Sequence, residues 1–171
     1  EYTVNGTLMD KETGKPLVDE SGKKVTASTT FTAPAAEDGK DSVSGVVDVT
    51  FKFKGGDYLA GKTLVAFETC QYKGKDVFVH EEINDAPQTT YVPNGKTNLT
   101  DNTTKDHIAK AAKKMSLTDT VSYENLKSGE TYKVTGVLMD KDTGKEFLVN
   151  GKKVEATKEF TIDPKPIVDE K

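Results

Sequence analysis

Five polar side chains stand where the surrounding pattern calls for apolar ones. Residues 77–92, VFVHEEINDAPQTTYV, read as two β-type segments around an acidic turn, with His80 and Gln88 towards its ends. Strand alternation puts His80 in the row of Phe78, and Gln88 in the row of Thr90 and Val92. In TLVAFETC, Glu68 shares a row with Leu64, Ala66 and Cys70; in MSLTDTVSY, Asp119 lies among Met115, Leu117, Val121 and Tyr123; in GKTNLTD, Thr97 and Leu99 share a face. All five are therefore expected to point inward. Taken singly, His80 is a hydrogen-bonded core histidine and Gln88 an edge residue. Taken together they carry chemistry, because a carboxylate buried without a purpose is costly. A hydroxyl, a histidine and an acid are the parts needed to activate an oxygen nucleophile, and an amide carbonyl is something it can attack. Here the amide is itself a side chain, which points to self-crosslinking.

The elements that must position these residues are strands. Segments with strand character fall at residues 2–9, 24–32, 44–53, 63–72, 76–81, 89–92, 115–123, 132–139 and 154–161, an all-β pattern. The clearest is 44–53, where Val47, Val49, Phe51 and Phe53 alternate with Asp48, Thr50 and Lys52, as in a half-buried antiparallel strand. Gly14 and Gly144 close DKETGK and DKDTGK hairpins, where a residue without Cβ takes a positive φ cheaply. Residues 106–114, DHIAKAAKK, have the composition of a turn or two of helix.

The chain also repeats itself. Residues 2–32 match residues 132–161 with one residue dropped, at an offset of 132 − 2 = 130. That period is about one sandwich domain, the mark of a tandem array. Residues 1–93 are read as the C-terminal portion of one repeat and 94–171 as the N-terminal portion of the next.

Composition excludes several function classes. Net charge is −4 with the two signs interleaved, so no electrostatic footprint for nucleic acid or an anionic membrane exists. No apolar run is long enough to span a bilayer, and the opening EYTVNGTLMD lacks the pattern of a signal peptide. The single cysteine, Cys70, cannot form an internal disulfide and is expected to be a buried structural thiol. No Cys/His cluster has zinc spacing, and neither a metal nor a cofactor is expected. The Asn-x-Thr triplets at Asn5, Asn98 and Asn102 carry no weight in a Thr-rich chain.

VAFET, HEEINDAPQT, TDTVSYENLKSGETY and VTGVLMDKDTGK resemble, over essentially the whole chain, the VaFE-type repeats of Gram-positive surface proteins, the ester-bond domains of adhesin stalks. The resemblance implies an Ig-like (CnaB-like) antiparallel β-sandwich in a tandem repeat fragment. It also implies an extracellular, cell-wall-anchored location, and a single-turnover autocatalytic crosslink in place of enzyme turnover. In that family a Thr on the first strand attacks a Gln side chain on the last, ammonia leaves and an ester remains. Carried over, this implies Thr97 as nucleophile and Gln88 as electrophile. His80 is then the proton shuttle, and Asp119 with Glu68 the acid pair. TNLTD departs from the family's TTAxD-like opening at Asn98 and Leu99, which leaves Thr100 as a second candidate.

Glu68, His80 and Gln88 fall in the first portion, Thr97 and Asp119 in the second. A tight turn between Gln88 and Thr97 cannot make the parallel neighbours that the family uses, so Thr97 is expected to reach Gln88 of another molecule by strand exchange. The expected partners are neighbouring repeats and further copies of the chain. Two other functions compete: a carbohydrate-active hydrolase using Glu81, Glu82 or Asp85 as a carboxylate pair, and a ligand-binding adhesin domain. The acids of the first lie in a turn that reads as solvated, and the second lacks Trp and has scattered Tyr residues.

Overall fold

A computed structural model describes residues 1–164. With 46% of residues in strands and 2% in helix, and all pairings antiparallel, the fold is of the all-β, Ig-like sandwich class. The chain divides into two compact units, Glu1–Asn94 and a second beginning at Gly95.

In the first unit β1 (Tyr2–Asp10) is central. On one side it takes β2 (Lys15–Pro16) and β3 (Thr26–Phe31), and on the other β4 (Thr63–Tyr72), with Val4 opposite Cys70 and Met9 opposite Val65. Because β1 occupies one edge of β4 along nearly its whole length, β5 (Lys75–His80) and β6 (Thr89–Tyr91) must share the other. Among the described residues the buried apolar side chains are Val4, Met9, Leu17, Val25, Leu64, Val65 and Cys70, all in this unit. Leu17, Val25 and Leu64 form a cluster covered by Phe51, Tyr58 and Leu59. Cys70 is a free, buried thiol, as its apolar row implies.

The second unit consists of two-stranded pairs: β7 (Asn94–Asp101) with β8 (Leu117–Glu124), and β9 (Thr131–Val137) with β14 (Glu155–Thr161). Between β9 and β14 lie the small pairs β10 (Met139–Asp140) with β11 (Lys145–Glu146), and β12 (Leu148–Val149) with β13 (Lys152–Lys153). Tyr123 of β8 stacks on Phe160 of β14 with ring centroids 5.3 Å apart, which joins the two larger pairs.

The duplicated hairpins are built alike. Asp10 accepts hydrogen bonds from the backbone N–H groups of Glu12 and Thr13, and Asp140 does the same for Asp142 and Thr143. Each turn closes through a glycine N–H donated to that aspartate's own carbonyl, Gly14 with φ 65° and Gly144 with φ 67°. Among the described residues, only in the first unit is the aspartate also paired with a lysine, Lys62, just before β4.

Three expectations need correction. Residues 44–53 form no strand: Val49 and Phe51 are half-buried and Asp48, Thr50 and Lys52 exposed, so the alternation survives, but no neighbouring strand pairs with the backbone. The hydrogen bond found there runs from Thr29 Oγ1 to the Asp48 carbonyl, 2.9 Å. Residues 106–114 form no helix, because nine exposed residues without an apolar face to bury do not repay helix nucleation. Residues 94–101, absent from the strand expectations, form β7.

Candidate functional site

The site of the first unit lies where β5 ends and β6 begins. These strands follow one another along the same edge of β4, and residues 81–88 loop out between them. The loop is held by local bonds: Asn84 N–H to Glu82 Oε1 (2.9 Å), Asp85 N–H to the Glu82 carbonyl (3.1 Å) and Thr89 Oγ1 to the Asp85 carbonyl (2.6 Å). Its two ends therefore meet on β4. His80 lies directly opposite Glu68, and the Gln88 carbonyl accepts from Ala66 N–H at 3.1 Å.

The Gln88 side-chain nitrogen is shared between two neighbours. It lies 3.3 Å from His80 Nδ1 and makes a long 3.5 Å contact with Glu68 Oε2. The amide must present nitrogen here, because its oxygen would face a carboxylate. If that nitrogen donates to Nδ1, the imidazole carries its proton on Nε2, which donates to Asp85 Oδ2 at 2.8 Å. The result is a chain from Asp85 through His80 to the Gln88 amide, with Glu68 on the amide's other side.

Sequence reasoning placed Glu68, His80 and Gln88 in the set, and the structure brings these three together. It missed Asp85, which it assigned to a solvated turn. The available signal was spacing: Asp85 follows His80 by five residues inside a loop whose ends must converge on one strand. Glu81 and Glu82 are exposed, and Glu82 is spent on capping Asn84. Nor is the site buried: the His80 side chain is 46% exposed, against 21% for Asp85, since β5 is an edge strand. The inward-facing histidine of the sequence reading is in this chain a half-open one.

Thr97 and Asp119 belong to the second unit. Thr97 lies exposed on β7, and Thr100, the second candidate, is half-buried. Asp119 is exposed on β8 in the expected row with Val121 and Tyr123, and these three line an open cavity of about 310 Å³ whose other wall includes Gly136, Ala156 and Phe160. Among the described residues the buried acid in this unit is Asp101, whose Oδ1 accepts from the backbone N–H groups of Thr103 (2.8 Å) and Thr104 (2.9 Å). Those hydrogen bonds hold its carboxyl below the ordinary range.

The site is thus a glutamine amide between a histidine and a glutamate, with a second acid behind the histidine, on an all-β scaffold. The family model described as the T-Q ester bond containing domain matches residues 1–92 and again 93–169. The chain belongs to that family. No curated protein and no solved structure matches it.

Proposed function

We propose that this chain is a structural module of an extracellular, cell-wall-anchored adhesin stalk of the VaFE type in Gram-positive bacteria, reinforced by an autocatalytic Thr–Gln ester. The observation that carries the reading is the Gln88 nitrogen between His80 Nδ1 and Glu68. A threonine hydroxyl attacks Gln88 Cδ while His80 Nδ1 takes its proton. The C–N bond of the tetrahedral intermediate then breaks, and the same imidazole returns the proton to the departing nitrogen beside it. One amide and one alcohol become one ester and one ammonia, and the chain acts once. Asp85 holds the imidazole through Nε2 and offsets its charge while it carries the proton. Glu68 keeps the amide nitrogen turned towards the histidine.

The first unit holds the glutamine site, and Thr97 lies in the second. The reading therefore assigns the hydroxyl to Thr97 of another copy, delivered by exchange of β7 and β8, with Asp119 carried in alongside. Denaturing electrophoresis is expected to show covalent dimers or a ladder, each bond costing one ammonia by intact mass, and Gln88→Ala should abolish them. A monomeric band at the uncrosslinked mass under all conditions would refute the intermolecular ester.

A further inference from the structure

We propose that Gln88, through the proton transfers given above to His80 and resting on that role, is also a site of hydrolysis: while no threonine is seated, water attacks its side-chain amide, and residue 88 becomes a glutamate lost to crosslinking. The amide is well held but poorly covered. Its nitrogen lies 3.3 Å from His80 Nδ1 and 3.5 Å from Glu68 Oε2, and His80 Nε2 lies 2.8 Å from Asp85 Oδ2. Yet the His80 side chain is 46% exposed, and Gln88 is only half-buried. Every group that serves a threonine hydroxyl is therefore in place for any small oxygen nucleophile that reaches Gln88 Cδ.

The water oxygen bonds to Gln88 Cδ as His80 Nδ1 takes one of its protons. The C–N bond of the intermediate then breaks, and the imidazole returns that proton to the departing nitrogen. One amide and one water become one carboxylic acid and one ammonia; the acid releases its proton to solvent, and nothing is oxidised or reduced. A docked threonine outcompetes water for two reasons. Groups held beside their target reach effective concentrations of about 10⁵ M or more, and the strand that brings the hydroxyl closes the site to solvent. Water wins only while that strand is absent, so the half-open site gives an unjoined chain a limited reactive lifetime. The product is a dead end, because a carboxylate does not acylate an alcohol at neutral pH. A glutamate at 88 also sets a second negative charge against Glu68.

The chain contains two glutamines, and the other one isolates the effect of the histidine. Gln71 is half-buried on β4 like Gln88 beside it, and its Nε2 donates to Asp76 Oδ1 at 2.8 Å. Its amide therefore has a carboxylate neighbour as Gln88 does, but His80 lies opposite Glu68, farther along β4, and strand alternation turns Gln71 to the other face.

The test uses the full chain with Thr97→Val and Thr100→Val, kept dilute in water enriched in heavy oxygen and followed by peptide mass mapping. Residue 88 should gain one heavy oxygen and lose its nitrogen about 10²-fold or more faster than residue 71. His80→Ala should bring Gln88 down towards the rate of Gln71, with protection of Cys70 from a thiol reagent showing that the first unit stays folded. Asp85→Asn, which keeps the loop's shape, should slow Gln88 as well. Hydrolysis of Gln88 no faster than that of Gln71 would overturn the proposal, as would a fast rate indifferent to both substitutions. The ester reading fails separately. Hydrolysis at Gln88 in a wild type that never forms covalent dimers would sustain this proposal and sink the ester, whereas dimers without hydrolysis would show that water is shut out of the site.

Discussion

Gly6→Ala tests whether residues 49 and 51 hold the first unit's face closed. The added methyl would lie 2.6 Å from Phe51 Cζ and 3.2 Å from both Phe51 Cε1 and Val49 Cγ1, so the ring must retreat or β1 must shift. Overpacking of this kind costs about 1–3 kcal/mol, while replacing a strand glycine returns about 0.5–1 kcal/mol, leaving a net loss of about 1–2 kcal/mol. The single cysteine provides the assay. Cys70 is 1% exposed, sits opposite Val4 two residues from Gly6 on β1, and reports on the first unit alone. When labelling by a thiol reagent tracks the population of the open form, that loss predicts a rate about 5- to 30-fold faster. Gly136→Ala is the control: its Cβ meets empty space, and Cys70 labelling should stay at the wild-type rate. Labelling of Gly6→Ala as slow as wild type would show that Phe51 does not seat on Gly6.

Asp85→Asn keeps the shape of the loop but removes the charge behind the imidazole; ester formation followed by ammonia loss should slow by about 10²-fold or more, and an unchanged rate would leave Asp85 without a role. Burial pushes the Asp10 carboxyl up, but the hydrogen bond and charge of Lys62 and the N–H groups of Thr13 and Glu12 hold it below its ordinary 3.8. A depressed folded pKa means that this contribution to stability is fully present above the unfolded value and is lost as pH falls below it towards the folded one. Urea midpoints of the wild type should therefore drop below about pH 4, with a shallower drop in Asp10→Asn. Asp101→Ala leaves the Thr103 and Thr104 N–H groups without their acceptor, and hydrogen exchange at those two amides should accelerate selectively.

Much of the site was legible because strand alternation is a strong signal. Glu68 and His80 interrupt apolar rows, and the structure pairs them face to face. Asp85 was not legible, because its role depends on the loop between β5 and β6 folding back towards His80, and a loop acid looks the same in sequence whether it is solvated or paired. Residues 44–53 mislead in the opposite sense. The alternation correctly reports which side faces inward, but strand pairing requires lying alongside a sheet edge, and Val49 and Phe51 lie across the face of β1 at Gly6 instead.

The duplicated hairpins separate what is local from what is not. From sequence alone, LMDKETGK and LMDKDTGK must turn alike, because the bonds are made between residues a few positions apart: Leu17 N–H reaches the Leu8 carbonyl at 2.8 Å, and Phe147 N–H reaches the Leu138 carbonyl at 2.8 Å. Burial does not follow. Met9 is 8% exposed and Met139 53%; Leu17 is 3% and Phe147 42%. The difference comes from β4 and from Phe51, Tyr58 and Leu59, which cover the first copy and have no counterpart over the second among the described residues. Hydrogen bonds within a turn are set by its own residues, whereas removing a side chain from water requires a second surface, which only the tertiary structure supplies.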